Sequence, residues 1–411
     1  MATRDLKVFL NEYYVGMLSQ VLDGRSFFIF DQHYLEDLDR PTLSLSFKNA
    51  IGETTSKREH FSPSGKLPPF FSNLLPEGKL RSYLARKVDL RESQEFLLLQ
   101  KLSSDLPGAV LLRSEGSSNL EDERINEEST VGDDQNDDLR FSVAGVQLKF
   151  SGDLIDNKIV IPAHGIDGHW IVKLPSQEYS YVNELEYSML NFASEIGIIV
   201  PEFNIKPMTS IANLPTDFPT SIGEGNCLLS RRFDRTTGGG RIHMEDFAQV
   251  FSVYEKYDER FNYQSIAKVI WVEMGLEATL EFVRRLVYMF AIGNADMHLK
   301  NWSIVYPDCR QPELSPAYDL VSTVVYPNIS KSLPHKMAGV KSFDRIGMDA
   351  FRNFAKIAEL PEKQVLRAVN ETIERIHEAW PRLRGDMPIP ESFKRSIENH
   401  METVPLLKKR S

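Results

Sequence analysis

Cysteine is almost missing from this chain: Cys227 and Cys309 are the only two in 411 residues. A pair so far apart excludes a disulfide framework and a thiolate metal cluster, and it suits a reducing compartment. Long apolar runs are missing too. Stretches such as Leu286 to Ile292 fall well short of the roughly 20 residues that span a bilayer. Met1-Ala2-Thr3-Arg4-Asp5 opens no apolar signal segment. The expectation is a cytoplasmic protein with no membrane partner. Positive charge is in deficit, with 48 Lys and Arg against 58 Asp and Glu, a net of −10. Such a surface repels nucleic-acid phosphates, so DNA would be reached through a basic patch or a basic partner. Core material is not lacking: the chain is 42% hydrophobic and long enough for two or three domains.

Residues 1–113 open with the apolar runs Leu6-Val8-Leu10, Tyr14-Gly16-Leu18 and Phe27 to Phe30. Leu43, Leu45 and Phe47 alternate with Thr42, Ser44 and Ser46. This predicts a β-rich unit, followed by helical pattern from Pro68 to Leu99. Residues 114–139 change character: Glu121, Asp122, Glu123, Glu127, Glu128, Asp133, Asp134, Asp137 and Asp138 stand against Arg124, which predicts a disordered acidic linker. Residues 140–235 read as strands at Val143 to Phe150, Lys158 to Ile161, His169 to Leu174, Asn204 to Lys206 and Asn226 to Arg232. Among them, Asn183 to Gly197 is an amphipathic helix with Leu185, Met189, Phe192, Ala193 and Ile196 on one face. From His243, within residues 236–411, helical periodicity dominates: Asp246 to Tyr254, Tyr263 to Met274, Ala278 to Ile292, Met348 to Ile357, Glu362 to Trp380 and Glu391 to Met401. A β-rich half followed by a helical half predicts an α+β protein of two lobes with a site between them.

The segment Gly293 to Ser303 concentrates the chemistry. Asp296, His298, Lys300 and Asn301 crowd between an apolar helix and the strand-like run Trp302 to Tyr306, and Tyr318-Asp319 follows. An Asp, an Asn five residues on, and a second Asp beyond a strand pair is the order of polar groups in protein kinases. The bland reading is a capped helix end with surface polar residues. Metal hydrolysis through Asp and His is another, but no second His stands at zinc spacing. A kinase also needs a cation on the phosphates. Lys173 ends an apolar strand where burial without an anion is costly. Glu186 on the following helix is its natural ion-pair partner, with Glu184 the competitor. Ser142-Val143-Ala144-Gly145-Val146-Gln147-Leu148-Lys149 has small residues where a turn can approach phosphates. Gly238-Gly239-Gly240 matches no phosphate motif and reads as a flexible connection.

These motifs, in this order, resemble the HipA family of bacterial kinase toxins. Phe70 to Gly78 is similar to the family's N-terminal signature, and Ser142 to Lys149 to its phosphate loop. His169 to Pro175 is similar to its lysine strand. Arg232 to Arg235, Glu245 to Gln249, Gly293 to Ser303 and Tyr318-Asp319 complete the set. The resemblance implies a two-lobed, protein-kinase-like fold with an added β-rich N-terminal subdomain and a helical C-terminal lobe. It implies phosphorylation of serine or threonine with ATP and Mg²⁺. Carried over by residue, Asp296 orients the acceptor hydroxyl, with Lys300 neutralising charge beside it. Lys173, His298 and the loop Val143, Ala144, Gly145, Val146 and Gln147 hold the nucleotide. The Arg231 to Phe233 backbone forms the adenine hinge, Asn301 and Asp319 hold Mg²⁺, and Ser142 is an autophosphorylation site. The implied partners are a HipB-like helix-turn-helix antitoxin, operator DNA through that antitoxin, and a protein substrate such as an aminoacyl-tRNA synthetase. Two departures stand out: Leu148 where many members carry Glu, and Met297 and Leu299 where small residues are common. The rival readings are a catalytically silent co-repressor or scaffold for the antitoxin, and a small-molecule phosphotransferase.

Overall fold

The structure, a computed structural model, describes residues 4–49, 54, 61–114, 147–156, 158–160, 168–212, 225–254, 256–329 and 332–408. Residues 115–146 are outside it, so the acidic linker and Ser142, Val143, Ala144, Gly145 and Val146 lie outside the described residues.

The first subdomain is an antiparallel sheet of β1 (Arg4–Leu10), β2 (Tyr13–Gln20), β3 (Ser26–Phe30) and β4 (Val110–Ser114), in the order β3-β2-β1-β4. Alternation explains it: Leu6, Val8 and Leu10 of β1 all turn inward. After β3 comes the short α1 (Gln32–Glu36), then α2 (Pro69–Ser72), α3 (Gly78–Lys87) and α4 (Glu95–Lys101). Phe70, Phe71, Leu74, Phe96, Leu98 and Leu99 from this helical stretch close the core. The alternating Leu43-Leu45-Phe47 run is not a strand. Leu45–Phe47 is a 3₁₀ turn, because the Ser44 hydroxyl caps the Ser46 N–H. Ser44 also donates to the buried Glu245 at 2.5 Å, and Leu45 N–H donates to it at 3.0 Å. Local capping and a distant carboxylate outrank a period of two.

The second sheet runs β8-β10-β7-β5-β6-β9 and is built from β5 (Lys149–Ile155), β6 (Lys158–Val160), β7 (Trp170–Lys173), β8 (Phe203–Pro207), β9 (Ile211–Ala212) and β10 (Asn226–Arg231). Helix α5 (Val182–Glu195) follows β7 and buries Leu185, Met189, Phe192 and Ala193. Leu80 and Leu84 of α3 share a core with Phe150, Trp170, Val172 and Leu229, so the first subdomain packs directly on this sheet. A buried ion cluster reinforces the seam. Arg232 reaches Asp234 at 2.8 Å, Asp105 at 2.6 Å and Ser151 at 2.8 Å, and Arg235 reaches Asp234 at 2.7 Å. Burial alone would raise the Asp234 carboxyl; the two guanidinium groups outweigh it and hold it far below its ordinary range.

The C-terminal lobe comprises β11 (His243–Asp246), α6 (Phe247–Val250), α7 (Tyr263–Ile292), β12 (Ser303–Tyr306), β13 (Glu313–Leu314), the hairpin β14 (Ser332–Met337) and β15 (Val340–Ser342), and α8 (Met348–Ile357), α9 (Glu362–Leu383) and α10 (Glu391–Thr403). Strand β11 pairs with β12, where helical pattern predicted the chain to be winding already. The expected Asp246–Tyr254 helix shrinks to four residues. An Asp246–Gln249 capping box starts it, and left-handed Ser252 (φ 53°) lies just beyond its end. Helix α7 is interrupted at Gly275, between the two predicted helices. Among the described residues no helix is long and apolar enough to cross a membrane.

Gly293 stops α7 and turns the chain into the polar loop. It sits at φ 65°, with the Asn294 N–H closing back on the Met289 carbonyl at 3.0 Å. A Cβ there would lie 2.6 Å from Val324 Cγ1 and 2.9 Å from His400 Cδ2. Gly293→Ala therefore combines left-handed strain with a clash between α7, α10 and the segment after Asp319. It is expected to cost about 1–3 kcal/mol of stability, read as a lowered denaturation midpoint in urea.

Candidate active site

The polar loop is pinned group by group. Thr323 accepts the Ala295 N–H (2.8 Å) and donates to the Gly293 carbonyl (3.0 Å). Asn294 accepts the Asp296 N–H at 2.8 Å. Asn301 Nδ2 donates to the Asp296 carbonyl at 2.6 Å, which closes the loop on itself. Tyr318 donates to the Lys300 carbonyl at 2.9 Å and contacts Ser303 Oγ at 2.5 Å. These bonds set the residue before Asp319 against the Asn301 turn. Asp319 itself is left-handed (φ 53°), a backbone state that Asp tolerates better than most residues and that concentrates at functional sites.

Between the lobes lies a cavity of about 540 Å³, whose walls include Lys149, Lys173, Glu186, Asp296, Asn301 and Asp319. Gln147 and His298 line it too. Lys173 on β7 is buried, and its ammonium bridges two carboxylates. It donates to Glu186 of α5 at 2.6 and 2.7 Å and to Asp319 of the C-terminal lobe. Glu184 turns away and accepts from Asn226 at 2.7 Å. Burial would lower the Lys173 pKa; Asp319 and Glu186 outweigh it and raise it. Burial would likewise raise Asp319, but Lys173 and Lys149 hold it well below the usual range. Glu186, sharing the same ammonium, is pushed up by burial, with Asp319 adding to the rise.

On the opposite wall the Asp296 side chain is half exposed (50%). Burial of its surroundings nevertheless raises its pKa, with Asp319 adding and Lys256 opposing. His298 lies 3.5 Å from Asp296. Burial, helped by Lys256, drives its pKa down to about 3, so the imidazole is neutral at physiological pH. Its Nδ1 is buried without a hydrogen-bond partner among the described residues.

Not every residue singled out from the sequence reaches the cavity. Lys300 is buried behind it, 3.2 Å from Glu77 and 3.3 Å from the Asn73 carbonyl, both in the first subdomain. Arg231 and Phe233 do not line it. The Arg231 N–H is taken by the Glu202 carbonyl at 2.7 Å, and the Phe233 ring packs 5.8 Å from that of Tyr318. Gln147 does line it, donating to the Leu174 carbonyl (2.5 Å) and Asn183 (2.7 Å).

Among the wall residues given no role of their own from the sequence are Glu77, Lys149, Lys256 and Tyr257. Lys149 had a legible signal, a lysine opening an apolar strand. It stands directly across the ladder from Lys173. Two like charges there repel unless an anion lies between them. Lys149 is 3% exposed and makes no hydrogen bond or ion pair among the described residues. Burial pushes its pKa down to about 8.

Two lobes, a cavity between them, and a strand lysine joined to a helix glutamate opposite an Asp–Asn–Asp set define a protein-kinase-like fold and site. The comparisons agree. Residues 141–380 match the HipA-like C-terminal domain and residues 6–113 the HipA N-terminal domain, so this chain belongs to the HipA family. It is 44% identical over 401 residues to Y4dM of Sinorhizobium fredii, which is named as a candidate kinase, covering 95% of each chain. It is 23% identical over 437 residues to the serine/threonine-protein kinase toxin HipA of Shewanella oneidensis, covering 98% of this chain and 94% of that one. Among solved structures it is similar to the Shewanella oneidensis complex of HipA, HipB and operator DNA, with a TM-score of 0.73, 20% identity, and coverage of 97% and 95%.

The buried, unpaired Lys149 carries a stability cost. Its folded pKa lies below the 10.5 of the free side chain, so the charged form is disfavoured on folding. That penalty is full below about pH 8 and gone above about pH 10.5. Lys149→Met should therefore raise the unfolding free energy at pH 7 by about 1–3 kcal/mol, with the gain fading over that window, measured by urea unfolding at several pH values.

Proposed function

We propose that this chain is an ATP- and Mg²⁺-dependent serine/threonine protein kinase, acting as the toxin of a toxin–antitoxin pair. The observation that carries the reading is the convergence of Lys173, Asp296, Asn301 and Asp319 on one cavity, from segments far apart in the chain. Membership in the HipA family supports it.

The donor set suits magnesium. Among the described residues no group of three His, Cys, Asp or Glu side chains forms a metal cage. Mg²⁺ in kinase sites needs none, because one or two protein oxygens suffice when phosphates and waters complete the shell. Asp319 and the Asn301 amide oxygen would hold the ion, which would neutralise the phosphate charge. Lys173 would exchange its Asp319 contact for a phosphate oxygen while Glu186 keeps it in place. Lys149 would supply a second cation across the ladder. The acceptor oxygen would attack the γ-phosphorus as the bond to the ADP oxygen breaks, and Asp296 would orient the hydroxyl and take its proton. Ser142, five residues before Gln147 in the sequence, is the proposed autophosphorylation site. The proposed partner is a HipB-like antitoxin, which would supply the positive charge that this acidic chain lacks for operator DNA. The proposed substrate class is a translation protein such as an aminoacyl-tRNA synthetase.

Asp296→Asn and Asp319→Asn should each lower transfer from [γ-³²P]ATP by about 10²- to 10⁴-fold and abolish growth arrest, with circular dichroism unchanged. Growth arrest that persists in either variant contradicts the mechanism. Antitoxin binding without any transfer by the wild type selects the silent scaffold, and phosphate appearing on a small molecule but on no protein selects the small-molecule enzyme.

A further inference from the structure

The acceptor side of the cavity contains a hydrogen bond that the proposed mechanism leaves unused. Tyr257 Oη donates to Asp296 Oδ1 at 3.2 Å. Its ring stands edge-on to His298, 5.3 Å between centroids and 87° between planes. The Lys256 ammonium lies 5.1 Å from the centre of the same ring and 3.4 Å from Glu77 of the first subdomain. The Lys256 carbonyl accepts the Leu299 N–H at 3.2 Å and lies 3.0 Å from His335 Nε2. This dipeptide is thus fastened to the polar loop by its backbone and to the first subdomain by its charge.

Core packing does not explain Tyr257, because it is 47% exposed. The phenol is held in place without being buried, and the group it meets is a half-exposed carboxylate free to rotate about two torsions. With Oδ1 engaged by Tyr257, Oδ2 has no hydrogen-bond partner among the described residues and remains for an incoming hydroxyl.

We propose that Tyr257 is a positioning residue for the phosphoryl acceptor: its hydroxyl fixes the Asp296 rotamer that receives a serine or threonine, and Lys256, clamped by Glu77, fixes the phenol. This rests on the reading of Asp296 as the acceptor-side carboxylate. Rate depends steeply on such placement, since an error of about 1 Å can cost on the order of 10²-fold. The first subdomain therefore enters catalysis through Glu77.

The test is Tyr257→Phe, which removes one oxygen and keeps the ring. Transfer from [γ-³²P]ATP with Mg²⁺ is followed on the full-length chain itself and on myelin basic protein as a generic acceptor. The expected result is a kcat lowered about 10- to 100-fold with KM for ATP within about twofold of wild type and an unchanged melting temperature. Glu77→Gln should lower kcat in the same sense, and Glu77→Asp should restore part of it. Wild-type kcat in Tyr257→Phe, beside an inactive Asp296→Asn, overturns this inference alone. A raised KM for ATP at unchanged kcat overturns it too. Full transfer by Asp296→Asn overturns the kinase mechanism and this inference together.

Discussion

One ammonium joins the two lobes at the cavity, beside the apolar core that α5 shares with the C-terminal lobe. Lys173 comes from the sheet, Glu186 from the helix behind it, and Asp319 from a loop 146 residues further along the chain. Three charges removed from water are tolerable only when each faces an opposite one at contact distance, because an unpaired buried ion costs several kcal/mol. The triad is complete only when the sheet, α5 and the Asp319 loop are all in place. The position of the Asp319 carboxylate therefore depends on how the two lobes are seated on each other.

The first subdomain is joined to that assembly by charge and hydrogen bonds as well as by apolar packing. Asp105 enters the Arg232–Asp234 cluster, and Ser44 and Leu45 donate to Glu245. Asn73 donates to the Val253 carbonyl and Gln249 to the Phe70 carbonyl. Glu77 sits between Lys300 and Lys256, which outweigh burial and hold its pKa near 2. Lys300 is thus explained as an anchor. Its ammonium lies behind the turn that carries Asn301, and it joins that turn to Glu77 and Asn73.

Much of this was legible in the chain. Alternation marked β1 to β3, the α5 stripe matched the buried face, and a glycine marked the end of α7. The Asp–Asn–Asp order picked out residues that line one cavity. The failures have physical causes. Leu43 to Phe47 alternates like a strand, but a serine cap and a carboxylate about 200 residues away curl it. His243 to Asp246 is a strand because β12 supplies its ladder, and no local pattern encodes a partner. Lys300 looks in sequence like its neighbours Asp296, His298 and Asn301, which line the cavity, and differs in which way it points. Lys256-Tyr257 carries no periodic signal, and its meaning comes from a contact with Asp296 across the loop. Pattern shows which segments bury an apolar face; pairings across large sequence separations appear only in the fold.

The left-handed backbone of Asp319 bears on how this protein could lose its activity over evolutionary time. Asn fits that conformation nearly as well as Asp, and the exchange needs a single nucleotide change. Lys173 would still be neutralised by Glu186, whereas Lys149 would lose the strongest of its opposing charges. An inert descendant that keeps its backbone shape lies one substitution away, with the weakened hold on Lys149 as its folding cost. Lineages that kept such a protein for binding alone would have had an easy route to it.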